Sequence, residues 1–111
     1  MDNPKFVLST CKDGQYYFRL QAANGEPILQ SEGYKARTGA ENGIESVKEN
    51  APKDERYVRK QSTDGQFYFN LRAANHEVIG VSEMYTTPAA RDNGIAAVKD
   101  DAPGAPIDDQ T

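Results

Sequence analysis

Apolar and polar residues alternate from Tyr16 to Ala22. Tyr16, Phe18, Leu20 and Ala22 fall on one side, and Tyr17, Arg19 and Gln21 on the other. This is the period-two pattern of a half-buried strand. The split returns between Phe67 and Ala73, with Phe67, Phe69, Leu71 and Ala73 inward and Tyr68, Asn70 and Arg72 outward. Asp13-Gly14 and Asp64-Gly65 precede these strands, and Asn24-Gly25 and Asn75-His76 follow them. Asx-Gly pairs supply the positive φ that tight hairpin turns require. Asn75-His76 is the weaker turn, because His tolerates positive φ less readily than Gly. The four turns predict flanking strands over residues 6–10 and 27–31, and over 57–61 and 78–82, so each half of the chain opens as a three-stranded meander.

The period then lengthens to that of a helix. Ala40, Ile44, Val47 and Ala51 form one stripe, and Ile95, Val98 and Ala102 form another with Arg91 at its end. Thr87-Pro88 reads as an N-cap followed by a first-turn proline. The first helix starts either near Arg37 or slightly later, at a capping box of Thr38 and Glu41. Both helices stop before Pro52 and Pro103, since a residue preceding proline resists helical dihedrals. Gly43 and Gly94 sit inside the helices at a cost of about 1 kcal/mol each relative to Ala. That cost implies a close approach of the helix backbone, most simply to the sheet.

The two patterns are one unit written twice. Residues 6–52 and 57–103 align without a gap, with roughly half the positions identical. A copy of about 47 residues is marginal as a separate core, so the copies share one. The predicted architecture is a single α+β domain over residues 1–111, with two strand-rich repeats around a pseudo-two-fold, one antiparallel sheet and both helices on one face. Lys53-Asp54-Glu55-Arg56 is too short for a flexible tether. The tail, residues 104–111, is mostly flexible by composition, with Ile107 able to anchor one short strand.

A hydrophobic content of 37%, with six Tyr and four Phe, excludes a disordered chain. The net charge of −4 gives no general attraction to phosphate backbones or anionic lipid. The one cysteine, Cys11, has Ser62 as its counterpart and reads as a small strand residue rather than a nucleophile. No apolar run reaches membrane-span length, and the N-terminus lacks the signature of a leader. A reducing, cytoplasmic setting is expected.

Catalytic chemistry finds little material. His76 is the only histidine and occupies a turn, so a surface-turn role outweighs that of a general base. No metal-ligand spacing occurs; Asp100-Asp101 and Asp108-Asp109 read as solvated charge. No cofactor and no catalytic residue is expected. Glu32 and Glu83 recur, each after Ser and two residues before Tyr, and read as strand-end residues. The candidate binding surface is the outward strand face: Tyr17, Arg19, Gln21, Tyr68, Asn70 and Arg72. Tyr and Arg are favoured in protein interfaces and can also stack bases.

The recurring Asp-Gly-Gln, Tyr-Phe, Leu-x-Ala-Ala-Asn, Ser-Glu-x-Tyr and Asn-Gly-Ile-x-x-Val-Lys segments resemble the YegP-like family of small bacterial proteins, over nearly the whole chain. The resemblance implies a single antiparallel sheet of two three-strand-plus-helix units, with the strand after each helix exchanged between them. It places residues 57–61 after the first helix and the segment around Ile107 after the second. Members with one repeat assemble as dimers, so a tandem form is expected to be a monomer. The resemblance brings no activity, cofactor or catalytic residue. The reading is a non-enzymatic binding or accessory module with a protein or peptide partner and no membrane. A nucleic-acid contact through the aromatic and Arg face is the alternative, and a small enzyme the third.

Overall fold

The computed structural model describes residues 2–111. The first copy forms β1 (Lys5–Thr10), β2 (Tyr16–Gln21), β3 (Pro27–Gln30) and α1 (Arg37–Asn50). A 3-10 turn, Asp54–Arg56, leads into β4 (Tyr57–Gln61), β5 (Phe67–Arg72), β6 (Val78–Val81), α2 (Pro88–Asp101) and β7 (Ile107–Asp109). The strands make one sheet in the order β4-β5-β6-β3-β2-β1-β7. The copies meet at β3 and β6, which pair antiparallel with Gln30 opposite Val81, its own counterpart in the other copy.

The sheet is mixed rather than wholly antiparallel. β7 lies parallel to β1, with Phe6 beside Ile107 and Leu8 beside Asp109. The first meander covers only one edge of β1, and the tail satisfies the other: the Phe6 amide donates to Pro106 O at 2.8 Å and the Gln110 amide to Leu8 O at 2.8 Å. Asp108 receives Lys5 Nζ at 3.0 Å, and Asp109 pairs with Arg37, which together hold this direction. The tail is therefore built into the sheet, and Ala105 within it is buried. The Lys5 contact holds the Asp108 carboxyl below its ordinary range.

One core lies between the sheet and both helices. Phe6, Leu8, Phe18, Leu20, Leu29, Phe69 and Leu71 come from the strands. The stripes Ala40, Ile44, Val47 and Ala51, and Ile95, Val98 and Ala102, come down onto them. Each helix spans the junction: α1 packs on β2 and also on β5 and β6, and α2 packs on β5 and also on β3. The core is not symmetric. Leu29 has Gly80 as its counterpart, and a Cβ on Gly80 would meet Leu29 Cγ at 2.7 Å. The leucine of one copy occupies the space that the other leaves empty.

Helix α2 begins as its sequence predicts, with Thr87 Oγ1 accepting from the Ala90 amide at 3.1 Å and Pro88 in the first turn. Helix α1 starts at Arg37 with Ala36 as N-cap and no side-chain cap, so the Thr38–Glu41 box does not form.

The hairpin turns share one design. In each, the Asp or Asn side chain accepts an amide two residues on, as Asn24 does from Glu26 at 3.0 Å and Asn75 from Glu77 at 3.0 Å. The following residue takes positive φ: Gly14 +79°, Gly25 +86°, Gly65 +86° and His76 +70°. His76 thus holds the left-handed conformation despite its Cβ, at about 1–2 kcal/mol. His76→Gly is expected to stabilise the protein by about 0.5–1 kcal/mol, after the extra flexibility of the unfolded chain is subtracted. A rise in the urea midpoint checks this.

Candidate functional site

The outward face of the sheet carries one row across all seven strands. Val58, Asn70, Val81, Gln30, Arg19, Val7 and Asp108 lie side by side by register. Both helices pack on the opposite face, so this row has no helix over it. Of the six residues expected to form a binding surface, Arg19 and Asn70 lie in the row. β2 and β5 run in opposite directions, so Tyr17 and Arg72 lie to one side of it and Gln21 and Tyr68 to the other. Strand spacing and rise put Tyr17 and Tyr68 about 20 Å apart. The six residues share a face, but the two tyrosines do not form one stacking platform.

The copies have also diverged here. Tyr17 donates from its hydroxyl to Asp13 at 3.1 Å, and this bond raises the phenol above its ordinary range. In the second copy Ser62 stands where Cys11 stands in the first, and its hydroxyl takes Asp64 instead. That bond holds Asp64 below the usual carboxylate range. Around Arg19, a shallow hollow of about 450 Å³ is lined by Ser9, Cys11, Tyr17, Phe18, Gln30 and Ser31.

Ion pairs lie on both faces, with Lys5 and Asp108 on the outer one, but the arginines differ in their partners. On the helix side, Arg37 pairs with Glu41 and Asp109, Arg59 with Asp54 and Asp92, Arg91 with Asp92, and Lys99 with Asp54. Hydrogen bonds from Lys99 and Arg59 hold Asp54 below its ordinary range. On the outer face, Arg19 and Arg72 form no ion pair among the described residues. Arg72 Nε and Asn70 Oδ1 are buried atoms with no hydrogen-bond partner. Such groups are costly unless something satisfies them.

The Ser-Glu-x-Tyr and Asn-Gly-Ile segments prove to be one device. Ser31 Oγ accepts the Phe18 amide at 2.9 Å and donates to Glu32 O at 2.9 Å; Ser82 does the same with Phe69 at 2.9 Å and Glu83 at 2.8 Å. Tyr34 and Tyr85 then bridge to Tyr16 and Phe67 as single residues. Their rings pass under the helices at the glycines: a Cβ on Gly43 would meet the Tyr34 hydroxyl at 2.5 Å, and one on Gly94 would meet the ring of Tyr85. The close approach expected of the helices is therefore to these tyrosines and, at Gly43, also to the sheet, where the Cβ would meet the ring of Phe18 on β2 at 2.9 Å. Burial raises both phenols above their ordinary range, with Glu32 and Glu77 adding to Tyr34 and Glu83 adding to Tyr85.

Among the described residues, no group of three or more His, Cys, Asp or Glu is placed to hold a metal ion. Cys11 is an exposed thiol in the β1–β2 turn, and His76 sits in the β5–β6 turn. No helix among the described residues is long and apolar enough to cross a membrane.

Comparison with known proteins agrees with this repeated architecture. The family described as "Domain of unknown function (DUF1508)" matches twice, over residues 12–57 and 62–109. Each match begins in the first hairpin of a copy and runs through the helix toward the strand that follows it. The chain is 50% identical over 106 residues to the UPF0339 protein YegP of Escherichia coli K12, covering 96% of each. It is 57% identical over 106 residues to a UPF0339 protein of Bordetella pertussis, covering 96% of this chain and 95% of that protein. The solution NMR structure of E. coli yegP, titled a protein of unknown function, superposes with a TM-score of 0.93 at 48% identity, covering 100% of this chain and 96% of that one. The solution NMR structure of a UPF0339 protein from Shewanella oneidensis gives a TM-score of 0.90 at 47% identity, covering 95% and 89%. With two copies of the matched unit and half its residues shared with these relatives over nearly its full length, the chain belongs to the UPF0339 family of YegP-like proteins.

Proposed function

We propose that the protein is a non-enzymatic binding module of the cytoplasm, acting as a monomer, whose uncovered sheet face docks an acidic segment of a protein partner. The observation that carries this reading is the pair Arg19 and Arg72. They stand on that face without carboxylate partners, while the helix-side arginines Arg37, Arg59 and Arg91 each pair with a carboxylate of the chain. Arg offers a planar fork of donors that matches carboxylates, and it is enriched at interfaces. Separation of Tyr17 from Tyr68 removes the contiguous aromatic surface that single-strand readers use.

The test is NMR titration of the full chain with an oligoglutamate peptide and with oligothymidylate. The expected result is peptide-induced shifts centred on Arg19 and Arg72, abolished by the double change Arg19→Gln and Arg72→Gln, with the urea midpoint almost unchanged. Tight oligothymidylate binding that falls steeply with salt and is lost on replacing Tyr17 and Tyr68 would establish nucleic acid as the partner instead. Absence of peptide binding in the unmodified protein would refute the proposal.

A further inference from the structure

A groove of about 410 Å³ lies between the β2–β3 hairpin and the beginning of α2, on the helix side of the sheet. It brings the two copies together, since Asn24, Glu26 and Ile28 come from the first and Glu83, Tyr85 and Asn93 from the second. Of the eleven residues lining it, only Pro27, Ala90 and Ala97 change at the repeat offset, to Val78, Gly39 and Ser46. The hollow around Arg19 contrasts with this: four of its seven lining residues are replaced, with Ser9, Cys11, Arg19 and Gln30 becoming Lys60, Ser62, Asn70 and Val81. A second hollow, of about 290 Å³, lies further along, at the end of α1; its Ser46, Ala73 and Asn75 are the counterparts of Ala97, Ala22 and Asn24, but Glu32, Asn42 and Glu77 do not line it.

Some of this recurrence serves the fold. Asn24 closes its turn, Ile28 is buried, and Tyr85 bridges to Phe67 while Gly94 makes room for its ring. Glu26, Glu83 and Asn93 are different. Glu26 and Asn93 are exposed, and their side chains form no hydrogen bond or ion pair among the described residues. Glu83 accepts Gln30 Nε2 at 2.6 Å, a bond its counterpart Glu32 has no equivalent for, because Gln30 becomes Val81. Neither Glu26 nor Glu83 faces a cation of the chain at ion-pair distance. All three residues recur as Glu77, Glu32 and Asn42.

We infer that this groove binds a small aliphatic amine, with its ammonium group between Glu26 and Glu83 and its alkyl chain over Ile28 and Ala97. Two carboxylates without an internal counter-ion supply the charge complement. Asn93 Oδ1 and the protonated Tyr85 hydroxyl add acceptors for the remaining ammonium N–H groups. The apolar floor suits a methylene chain and gives water nothing to bond. The volume lies in the range of small-molecule pockets rather than of flat protein interfaces.

The test is titration of the full-length chain with butylamine at neutral pH, followed through backbone amide shifts, with butanol as the uncharged control. Saturable shifts confined to residues 24–28, 83–85 and 90–97 are expected with butylamine and absent with butanol. The double change Glu26→Gln and Glu83→Gln should weaken binding at least tenfold, and Asn93→Asp should tighten it through the added charge. The Arg19→Gln and Arg72→Gln variant should bind butylamine as the unmodified protein does, which separates this site from the sheet-face reading. Equal responses to butylamine and butanol, or binding insensitive to both the Glu and Asn93 changes, would overturn the inference. A lysine-containing peptide binding more than tenfold tighter than butylamine would also overturn it, by making the occupant a protein side chain.

Discussion

Truncating Phe18 or Phe69 to Ala should remove about 3–5 kcal/mol of stability, a large share of the roughly 5–15 kcal/mol that a domain of this size possesses. Both rings are buried in the shared core, at 2% and 0% exposure. Phe18 contacts Phe6 edge-on at 6.0 Å and stacks on Tyr34 at 6.2 Å, so its loss also unsupports the ring beneath Gly43. Phe69 lies against Tyr57 at 5.7 Å, whose hydroxyl is anchored to Ala51 O at 2.7 Å. The neighbouring changes Tyr17→Ala and Tyr68→Ala fall on the uncovered face and should each cost about 1 kcal/mol or less. Urea melts of the four variants measure the contrast, and equal losses at adjacent positions would mean that both sheet faces are covered.

The first half alone, residues 1–53, should not persist as a folded monomer. Its helix stripe packs partly on β5 and β6, which the fragment lacks, and β1 loses the strand that completes its edge. What remains exposes the β3 edge and half of a core, and neither a three-stranded meander nor so small a core is self-sufficient. Sedimentation of the fragment should show either an unfolded chain or a homodimer whose junction is repacked, since Leu29 would there meet Leu29. A compact, non-associating monomer would refute the shared core.

The meander and the helix stripes were legible in the sequence because their periodicities report burial directly. Phe18 and Leu20 alternate with Arg19, and Ile44 and Val47 recur on one side of their helix. The direction of β7 was not legible, because three residues carry no pattern and their partners, Lys5 and Arg37, are distant in sequence. Gly43 announced a close approach but could not name Tyr34, whose ring reaches it only after the chain has turned at Ser31. Alternation assigned Tyr17 and Tyr68 correctly to the outer side of their strands. It says nothing of position along a face, and the opposed directions of β2 and β5 carry these residues to opposite ends. The groove of Glu26 and Glu83 was hidden for a related reason: the two residues belong to different copies, and only the junction between β3 and β6 brings their segments together.

Leu29 and Gly80 bear on whether the duplication can be undone. An association of two identical first copies would set leucine against leucine at the junction, overfilling it. Two second copies would set glycine against glycine and leave a void. Only the mixed pair fills the space to native density. Divergence at this one position has made the halves complementary rather than interchangeable. A gene encoding either half would need a compensating substitution before its product could rebuild the same junction with itself.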